Sequence, residues 1–149
     1  MGLFDVLSIS ASALSAERQR SEVSATNLAN VDTTHTADGT GPFRRKEVVF
    51  STSSSNAFRL MLAGHGSASP KQPGTVRLSR VVDDPADPIK RYEPGHPDAD
   101  KEGYVAYPAI NPVQEMVDLM GSVRAYQLNA SAVNASKQLI QQSIDILKS

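Results

Sequence analysis

The hydrophobic pattern divides the chain into two helical ends and a middle segment of short alternating runs. From Leu3 to Val31, apolar residues recur at alternating spacings of three and four, which predicts a helix with one narrow apolar seam. The same spacing runs from Pro112 to Leu147. Asn111 is the predicted N-cap of this second helix, with Gln114 placed to complete a capping box. Two narrow seams predict helices that pair with each other and leave apolar surface for neighbouring subunits.

The predicted packing positions are the large apolar residues of the two seams. They are Leu7, Leu14, Leu28, Leu119, Val123, Tyr126, Val133, Ile140, Ile144 and Leu147. The sequence alone does not sort them into contacts within one subunit and contacts between subunits.

The segment between the two helical ends has the composition of strands and turns. All nine prolines lie from Pro42 to Pro112. Strands are predicted where β-branched and aromatic residues lie between turn-forming residues. These strands are Phe43–Phe50, Ala57–Ala63, Thr75–Asp83, Ile89–Glu93 and Gly103–Tyr107, with a flexible loop at Gly64–Gly74. The expected fold is therefore α+β, with helices in 1–31 and 111–149 and a small β-rich, loop-rich module in 32–110.

Composition excludes several classes of function. The chain of 149 residues carries 15 Lys and Arg against 16 Asp and Glu, without the basic excess of a nucleic-acid-binding protein. It has no cysteine, which rules out disulfides and thiolate metal sites. No apolar run approaches the length of a membrane-spanning helix, so no membrane insertion is expected. The first basic residue is Arg18, so the start of the chain lacks the basic region of a cleavable secretory signal.

The segment that most resembles a metal-binding loop is acidic. Asp98, Asp100, Glu102 and Gly103 match the opening of a calcium-binding EF-hand loop, in which alternating oxygen ligands precede a glycine turn. The twelfth position of such a loop should be Glu and is Ala109 here. A plain acidic turn is therefore favoured, with calcium binding as the alternative.

Other candidate chemistry is weaker. His65 lies in a Gly-rich stretch without the nucleophile elbow of a serine hydrolase. The basic cluster Arg44–Lys46 is followed by Glu47 and favours a solvated strand edge or a salt-bridge site between subunits. The sequence predicts no catalytic, cofactor or metal site.

Blocks of residues along nearly the whole chain resemble a known family. Residues 12–20 and 24–34, centred on Asn27–Asn30, resemble the N-terminal signature of bacterial flagellar rod, hook and hook-associated axial proteins. Residues 36–50 and the long block 92–120 are similar to the proximal-rod branch of that family.

The resemblance implies a non-enzymatic structural subunit of the flagellar basal body. Such subunits form a helical tube, the periplasmic rod, which transmits torque and surrounds the export channel. Their terminal helices pair as a coiled coil in an inner layer, called D0, and the central module lies outside it. The resemblance adds Asn27 and Asn30 to the predicted assembly interface, where their amides would satisfy the last carbonyls of the first helix.

The same resemblance implies binding partners and a route of export from the cell. The expected partners are further copies of the chain, rod subunits of the FlgB, FlgF and FlgG types, and the adaptor between rod and membrane ring. Export through the flagellar type III apparatus, without a cleaved signal peptide, fits the absence of a secretory signal. No cofactor is implied.

Three alternatives stay open. The chain could be another rod or hook-junction axial subunit that shares the N-terminal signature. It could be a rod-associated cell-wall hydrolase that uses carboxylates such as Asp98 and Glu102. It could also be a calcium-dependent binding module around Asp98–Gly103.

Overall fold

The computed structural model describes residues 3–37, 39, 41–53 and 74–148, and their fold is α+β. The order of elements is α1 (Leu3–Ala29), β1 (Lys46–Ser53), β2 (Thr75–Asp83), β3 (Ile89–Tyr92), β4 (Tyr104–Tyr107) and α2 (Pro112–Lys148). In these residues β1 pairs with β2, and β3 pairs with β4 in a second two-stranded sheet. The second pair is antiparallel, with Ile89 opposite Tyr107 and Tyr92 opposite Tyr104.

The structure confirms both predicted helices. It also confirms four of the predicted strands, and the bounds of β2 match. β1 begins at Lys46 rather than Phe43, because the backbone N–H of Phe43 donates to the carbonyl of Thr33, at 3.0 Å, in the turn that follows α1. The predicted strand Ala57–Ala63 and nearly all of the predicted loop Gly64–Gly74 lie outside the described residues.

Local hydrogen bonds explain where the helices begin and end. Asn111 Oδ1 accepts from the backbone N–H groups of Val113 at 3.1 Å and Gln114 at 3.4 Å, which confirms Asn111 as the N-cap of α2. At the end of α1, Asn30 Nδ2 donates to the carbonyl of Thr26 at 2.8 Å. The predicted capping of the last carbonyls is thus confirmed for Asn30.

The chain forms two compact units. The first comprises Met1–Gln19, Phe50–Ser79 and Val123–Ser149. Among its described residues, Ser10, Ala16 and Ser136 are buried, and the hydroxyl of Ser12 accepts from the backbone N–H of Val76 at 3.2 Å. Small side chains therefore occupy the buried helix positions of this unit.

The second unit comprises Arg20–Val49 and Arg80–Ser122. Its apolar core contains Val105, Tyr107 and Ile110, which lie on β4 and just after it. Polar side chains on the helices are buried in the same unit, and they are Ser24, Asn27, Glu115 and Ser122. The hydroxyl of Ser122 is satisfied within its own helix, since it donates to the carbonyl of Leu119 at 2.8 Å.

Gly103 shapes the turn that joins β3 and β4. Its φ is +84°, a left-handed conformation that L side chains rarely adopt. A Cβ built there would lie 2.9 Å from Cε2 of Tyr92 and 3.2 Å from Cβ of Pro94. Both the left-handed backbone conformation and the lack of room for a Cβ atom therefore require glycine at this position.

Gly103→Ala should lower the free energy of unfolding by about 1–3 kcal/mol, because the substitution forces a strained φ as well as a steric clash. Urea denaturation of the purified chain measures the loss. Gly95→Ala is the matched control in the same turn, since a Cβ there meets nothing within 4 Å. Equal stability of the two variants would contradict the assignment.

Candidate functional site: a polar clasp and an exposed apolar stripe

A buried amide joins the end of α1 to the start of β1. The side chain of Asn27 is 1% exposed. Its Nδ2 donates to the carbonyl of Lys46 at 2.9 Å, and the backbone N–H of Lys46 donates to its Oδ1 at 2.8 Å. The amide thus pairs with the backbone of Lys46 as a neighbouring strand would.

A buried carboxylate adds α2 to this junction. Glu115 is 1% exposed, and its Oε2 accepts from Nδ2 of Asn27 at 3.1 Å. Its Oε1 accepts from Nε of Arg45 at 2.6 Å, a short charge-assisted hydrogen bond. Both oxygens of the carboxylate are therefore satisfied. We call Asn27, Arg45, Lys46 and Glu115 the clasp.

The electrostatics of the clasp favour the charged form of Arg45. Partial burial works against the charge of Arg45, but the hydrogen bond and the charge of Glu115 outweigh it, so the pKa of Arg45 is raised above its ordinary value. Arg45 also pairs with Glu47 and lies 3.8 Å from a carboxylate oxygen of Asp84. The guanidinium stays protonated throughout the physiological range.

Partly exposed ion pairs lie at and beside the clasp. Lys46 Nζ lies 3.1 Å from Oδ1 of Asp83, and a guanidinium nitrogen of Arg20 lies 3.5 Å from Oδ1 of Asp118. Pairs as exposed as these contribute about 0–1 kcal/mol each. The buried contacts of Glu115 therefore dominate the junction.

The clasp changes two expectations from the sequence. The cluster Arg44–Lys46 was expected at a solvated strand edge or in a salt bridge between subunits. A solvated edge is wrong for Arg45, whose main partner is Glu115 of the same chain, whereas Arg44 is exposed. A salt bridge between subunits stays a prediction for this cluster. Asn27 was expected to satisfy carbonyls of its own helix, and its amide binds β1 and α2 instead.

A stripe of large apolar side chains lies exposed along the first half of α2. Val113 is 69% exposed and Met120 57%. The full set, which we call the apolar stripe, is Val113, Met116, Val117, Met120, Val123 and Tyr126. Their spacings of three and four place them on one side of the helix. Contiguous exposed apolar surface of this kind marks a site of interaction.

The other predicted packing residues have intermediate or high exposure in the single chain. Those of intermediate exposure are Leu7, Leu14, Leu28, Asn30, Leu119, Val133 and Ile140, whereas Ile144 is exposed like Val123 and Tyr126. The side chain of Leu147 lies outside the described residues. Their role in assembly stays a prediction.

The acidic turn uses its carboxylates in its own hydrogen bonds. Oδ2 of Asp98 accepts from the hydroxyl of Thr34 at 2.6 Å. Oδ1 of Asp100 accepts from the backbone N–H groups of Glu102 and Tyr104, both at 2.9 Å. Within the described residues no group of three or more His, Asp or Glu side chains could hold a metal ion. His65 lies outside the described residues.

Comparison with known proteins decides the family. A family model described as "Flagella basal body rod protein" matches residues 7–34, and one described as "Flagellar basal body rod FlgEFG protein C-terminal" matches residues 101–146. The chain is 40% identical to the flagellar basal-body rod protein FlgC of Bacillus subtilis, over 99% of this chain and 100% of that protein. The FlgC proteins of Borreliella burgdorferi and Escherichia coli O6:H1 are 35% and 36% identical, again over nearly the full length of both chains.

The chain belongs to the FlgC family of flagellar basal-body rod proteins. Its function is accordingly that of a structural rod protein of the flagellar basal body. The clasp connects the two parts of the sequence that match the family models, since Asn27 lies in the first and Glu115 in the second. Neither helix, over its described residues, has the length and hydropathy of a membrane span.

The clasp leads to a prediction for Arg45 in this FlgC-family chain. Arg45→Ala leaves the buried carboxylate of Glu115 without its cation and should lower the free energy of unfolding by about 3 kcal/mol. The neighbouring exposed residue supplies the control, Arg44→Ala, which removes the same charge and should cost less than about 0.5 kcal/mol. Urea denaturation measures both variants, and similar losses in the two would argue against the clasp.

A second prediction concerns pH. The hydrogen bond from the backbone N–H of Tyr104 is the main cause that lowers the pKa of Asp100 below its ordinary value of 3.8. Because the folded-state pKa lies below the unfolded one, the contribution of Asp100 to stability is present above the unfolded pKa. It is lost as the pH falls through the folded pKa.

The carboxyl carbon of Asp100, followed by NMR, should therefore titrate with a midpoint below 3.8. Asp100→Asn should make stability less dependent on pH in this acidic range. A midpoint at or above the ordinary value would contradict the turn geometry.

Proposed function

We propose that the chain polymerises into the proximal part of the rod as a helical tube that transmits torque and surrounds the export channel. The observation that carries this proposal is end-to-end similarity to rod proteins, combined with an apolar stripe that the single subunit leaves exposed. A helical tube is built from heterologous contacts, in which each subunit presents two different complementary surfaces. The apolar stripe supplies one such surface.

The energetics of the stripe favour a subunit with several neighbours. Its six side chains are 43–69% exposed, so full burial would add about 1 kcal/mol for each of them. The sum, about 6 kcal/mol, lies at the low end of the roughly 4–15 kcal/mol that association costs. One contact through the stripe alone is therefore marginal. A tube, in which each subunit touches several others, makes the total favourable.

The helices fit the inner layer of such a tube. The 37 residues of α2 extend over about 55 Å at about 1.5 Å per residue. In this proposal α1 and α2 pair as a coiled coil in an inner D0-like layer, and the β-rich module of 32–110 lies outside it. The half-buried positions Leu7, Leu14, Val133 and Ile140 would complete their burial there.

The proposed function is structural and involves no enzymatic activity. The hydroxyl of Thr34 and backbone N–H groups of the turn engage Asp98 and Asp100, so these carboxylates serve the hairpin. All three relatives named above are called basal-body rod proteins. A wall-hydrolase or calcium-binding role has no comparable support from the described residues.

Partners and location follow from the same proposal. Rod subunits assemble with other flagellar rod proteins, and FlgB-, FlgF- and FlgG-like subunits and the adaptor to the membrane ring are the proposed neighbours. Export through the type III apparatus without a cleaved signal peptide would deliver the subunit to the periplasmic rod. Similarity of residues 101–146 to the C-terminal region of FlgE, FlgF and FlgG proteins supports related contacts along α2.

Val123→Asp tests the proposed assembly surface. It places a carboxylate in the apolar stripe, and burial of an unpaired charge between subunits is strongly unfavourable. Motility and incorporation into isolated basal bodies should be lost, while the level of the protein in cells stays normal. Gln114→Asp, at an exposed polar position on the opposite side of α2 from Val123, is the control and should assemble. Normal motility of the Val123 variant would refute the assignment of this surface.

A further inference from the structure

We propose that the outer edge of β3 is a docking edge for an extended, acidic strand of a partner protein, and that its cations keep two copies of this chain from pairing there. The edge belongs to the β3–β4 hairpin of the second compact unit. The proposal goes beyond the function proposed above, because it concerns the hairpin and not the helices.

The first observation is that β3 is an open edge strand. All four of its residues are exposed, Tyr92 by 64% and Ile89 by 48%. Among the described residues its only strand partner is β4. The outer edge of β4 is in contrast bound at Tyr104, whose backbone N–H donates to Oδ1 of Asp100 at 2.9 Å and whose carbonyl accepts from the backbone N–H of Asp100 at 2.8 Å. An unpaired strand edge is a template on which another strand can pair.

The register of the hairpin decides which backbone groups of β3 point outwards. Tyr92 lies opposite Tyr104, and just beyond this pair the backbone N–H of Glu93 donates to the carbonyl of Gly103 at 2.9 Å. Hydrogen-bonded pairs alternate with non-hydrogen-bonded pairs along an antiparallel ladder. The backbone groups of Lys90 and Tyr92 therefore point away from β4, toward the open edge, where a partner strand can bind them.

The side chains of β3 place a cation on each face of this edge. Lys90 and Tyr92 share one face, because successive side chains of a strand point to opposite faces. Arg91 lies on the other face, where its guanidinium is 4.6 Å from the ring centre of Tyr107. A strand that pairs along this edge therefore meets positive charge on both of its faces.

Charge and exposure together define the chemistry of the partner. Opposite charges on neighbouring strands stabilise a sheet, so a carboxylate opposite Lys90 fits best, with an apolar residue two positions along to cover Tyr92. The hairpin itself does not depend on Lys90. The backbone N–H of Tyr104 is the main cause of the lowered pKa of Asp100, and the charge of Lys90 contributes less.

The same edge disfavours a second copy of this chain. Two copies that pair antiparallel through their outward-pointing groups can centre on Lys90, Arg91 or Tyr92. The first two registers place two lysines or two arginines directly opposite each other, which is destabilising. The third places Lys90 opposite Pro94, which has no N–H to donate. An acidic strand from another protein meets none of these obstacles.

Two synthetic peptides that differ only in charge test the proposal. One alternates glutamate with valine, and the other has lysine in place of each glutamate. In NMR spectra of the isotope-labelled full chain, the amide signals of Lys90 and Tyr92 should shift with the acidic peptide and stay in place with the basic one. Equal shifts with both peptides, or no shift of these amides with the acidic peptide, would overturn the proposal.

A change of charge at the edge connects the selectivity to Lys90. Lys90→Glu should remove the shifts that the acidic peptide causes, because it places like charges opposite each other. Lys101→Glu makes the same change of charge at an exposed position in the turn, outside β3, and should keep the wild-type response. The signals of buried Val105 and Tyr107 report that the hairpin stays folded in both variants. Shifts that survive Lys90→Glu would show that this edge does not select the partner.

Lys90→Thr tests the exclusion of a second copy. In the register centred on position 90 this variant brings two threonines together, which is a favourable cross-strand pair. The amide signal of position 90 should therefore move with protein concentration in the variant and not in the wild-type chain. A signal that is independent of concentration in the variant would show that Lys90 is not what keeps the copies apart. All of these measurements use the free chain, so their outcome is independent of incorporation into the rod.

Discussion

One buried carboxylate, that of Glu115, joins separate segments of the second unit. Desolvation of a charge costs several kcal/mol, and Glu115 recovers that cost only if both of its oxygens are bound. Arg45 and Asn27 meet this requirement from two different segments of the chain. Because Asn27 also engages the backbone of Lys46, the end of α1, the start of β1 and the first turn of α2 must meet at one point. Loss of any one of these partners would leave a buried polar group on the others without its hydrogen bond.

The helices distribute their side chains in the opposite way to those of a stable globular monomer. Serines at positions 10, 24, 122 and 136 are buried, and their small size permits close approach of neighbouring segments. Large apolar residues such as Val113 and Met120 lie in solvent. Much of the apolar surface of these side chains therefore contributes little to the fold of the single subunit. The clasp and the hairpin core supply the internal stability that the helices lack.

Periodicity and local turn chemistry predicted the elements well, because both depend on neighbouring residues. The seam spacing predicted α2, the side chain of Asn111 predicted its start, and the bounds of β2 were correct at Thr75 and Asp83. The clasp was not predictable in this way, since its contacts join residues 19, 70 and 88 positions apart. From its charge alone, Arg45 was expected at the surface of the protein. A Glu in the first turn of a helix is ordinary for electrostatic reasons, so Glu115 gave no signal of burial.

A polar clasp does something here that an apolar contact of equal size would not. Hydrophobic contacts are non-directional, so on their own they define the relative position of two elements less sharply than hydrogen bonds do. The paired hydrogen bonds of Asn27 with Lys46 and the 2.6 Å bond of Arg45 to Glu115 are directional and fix one register. The position of Val117 and Met120 relative to β1 is set by that register, since both lie within two turns of Glu115 on α2. If the apolar stripe contacts neighbouring subunits as proposed, a fixed register would position it for those contacts and so offset the cost of burying a charge.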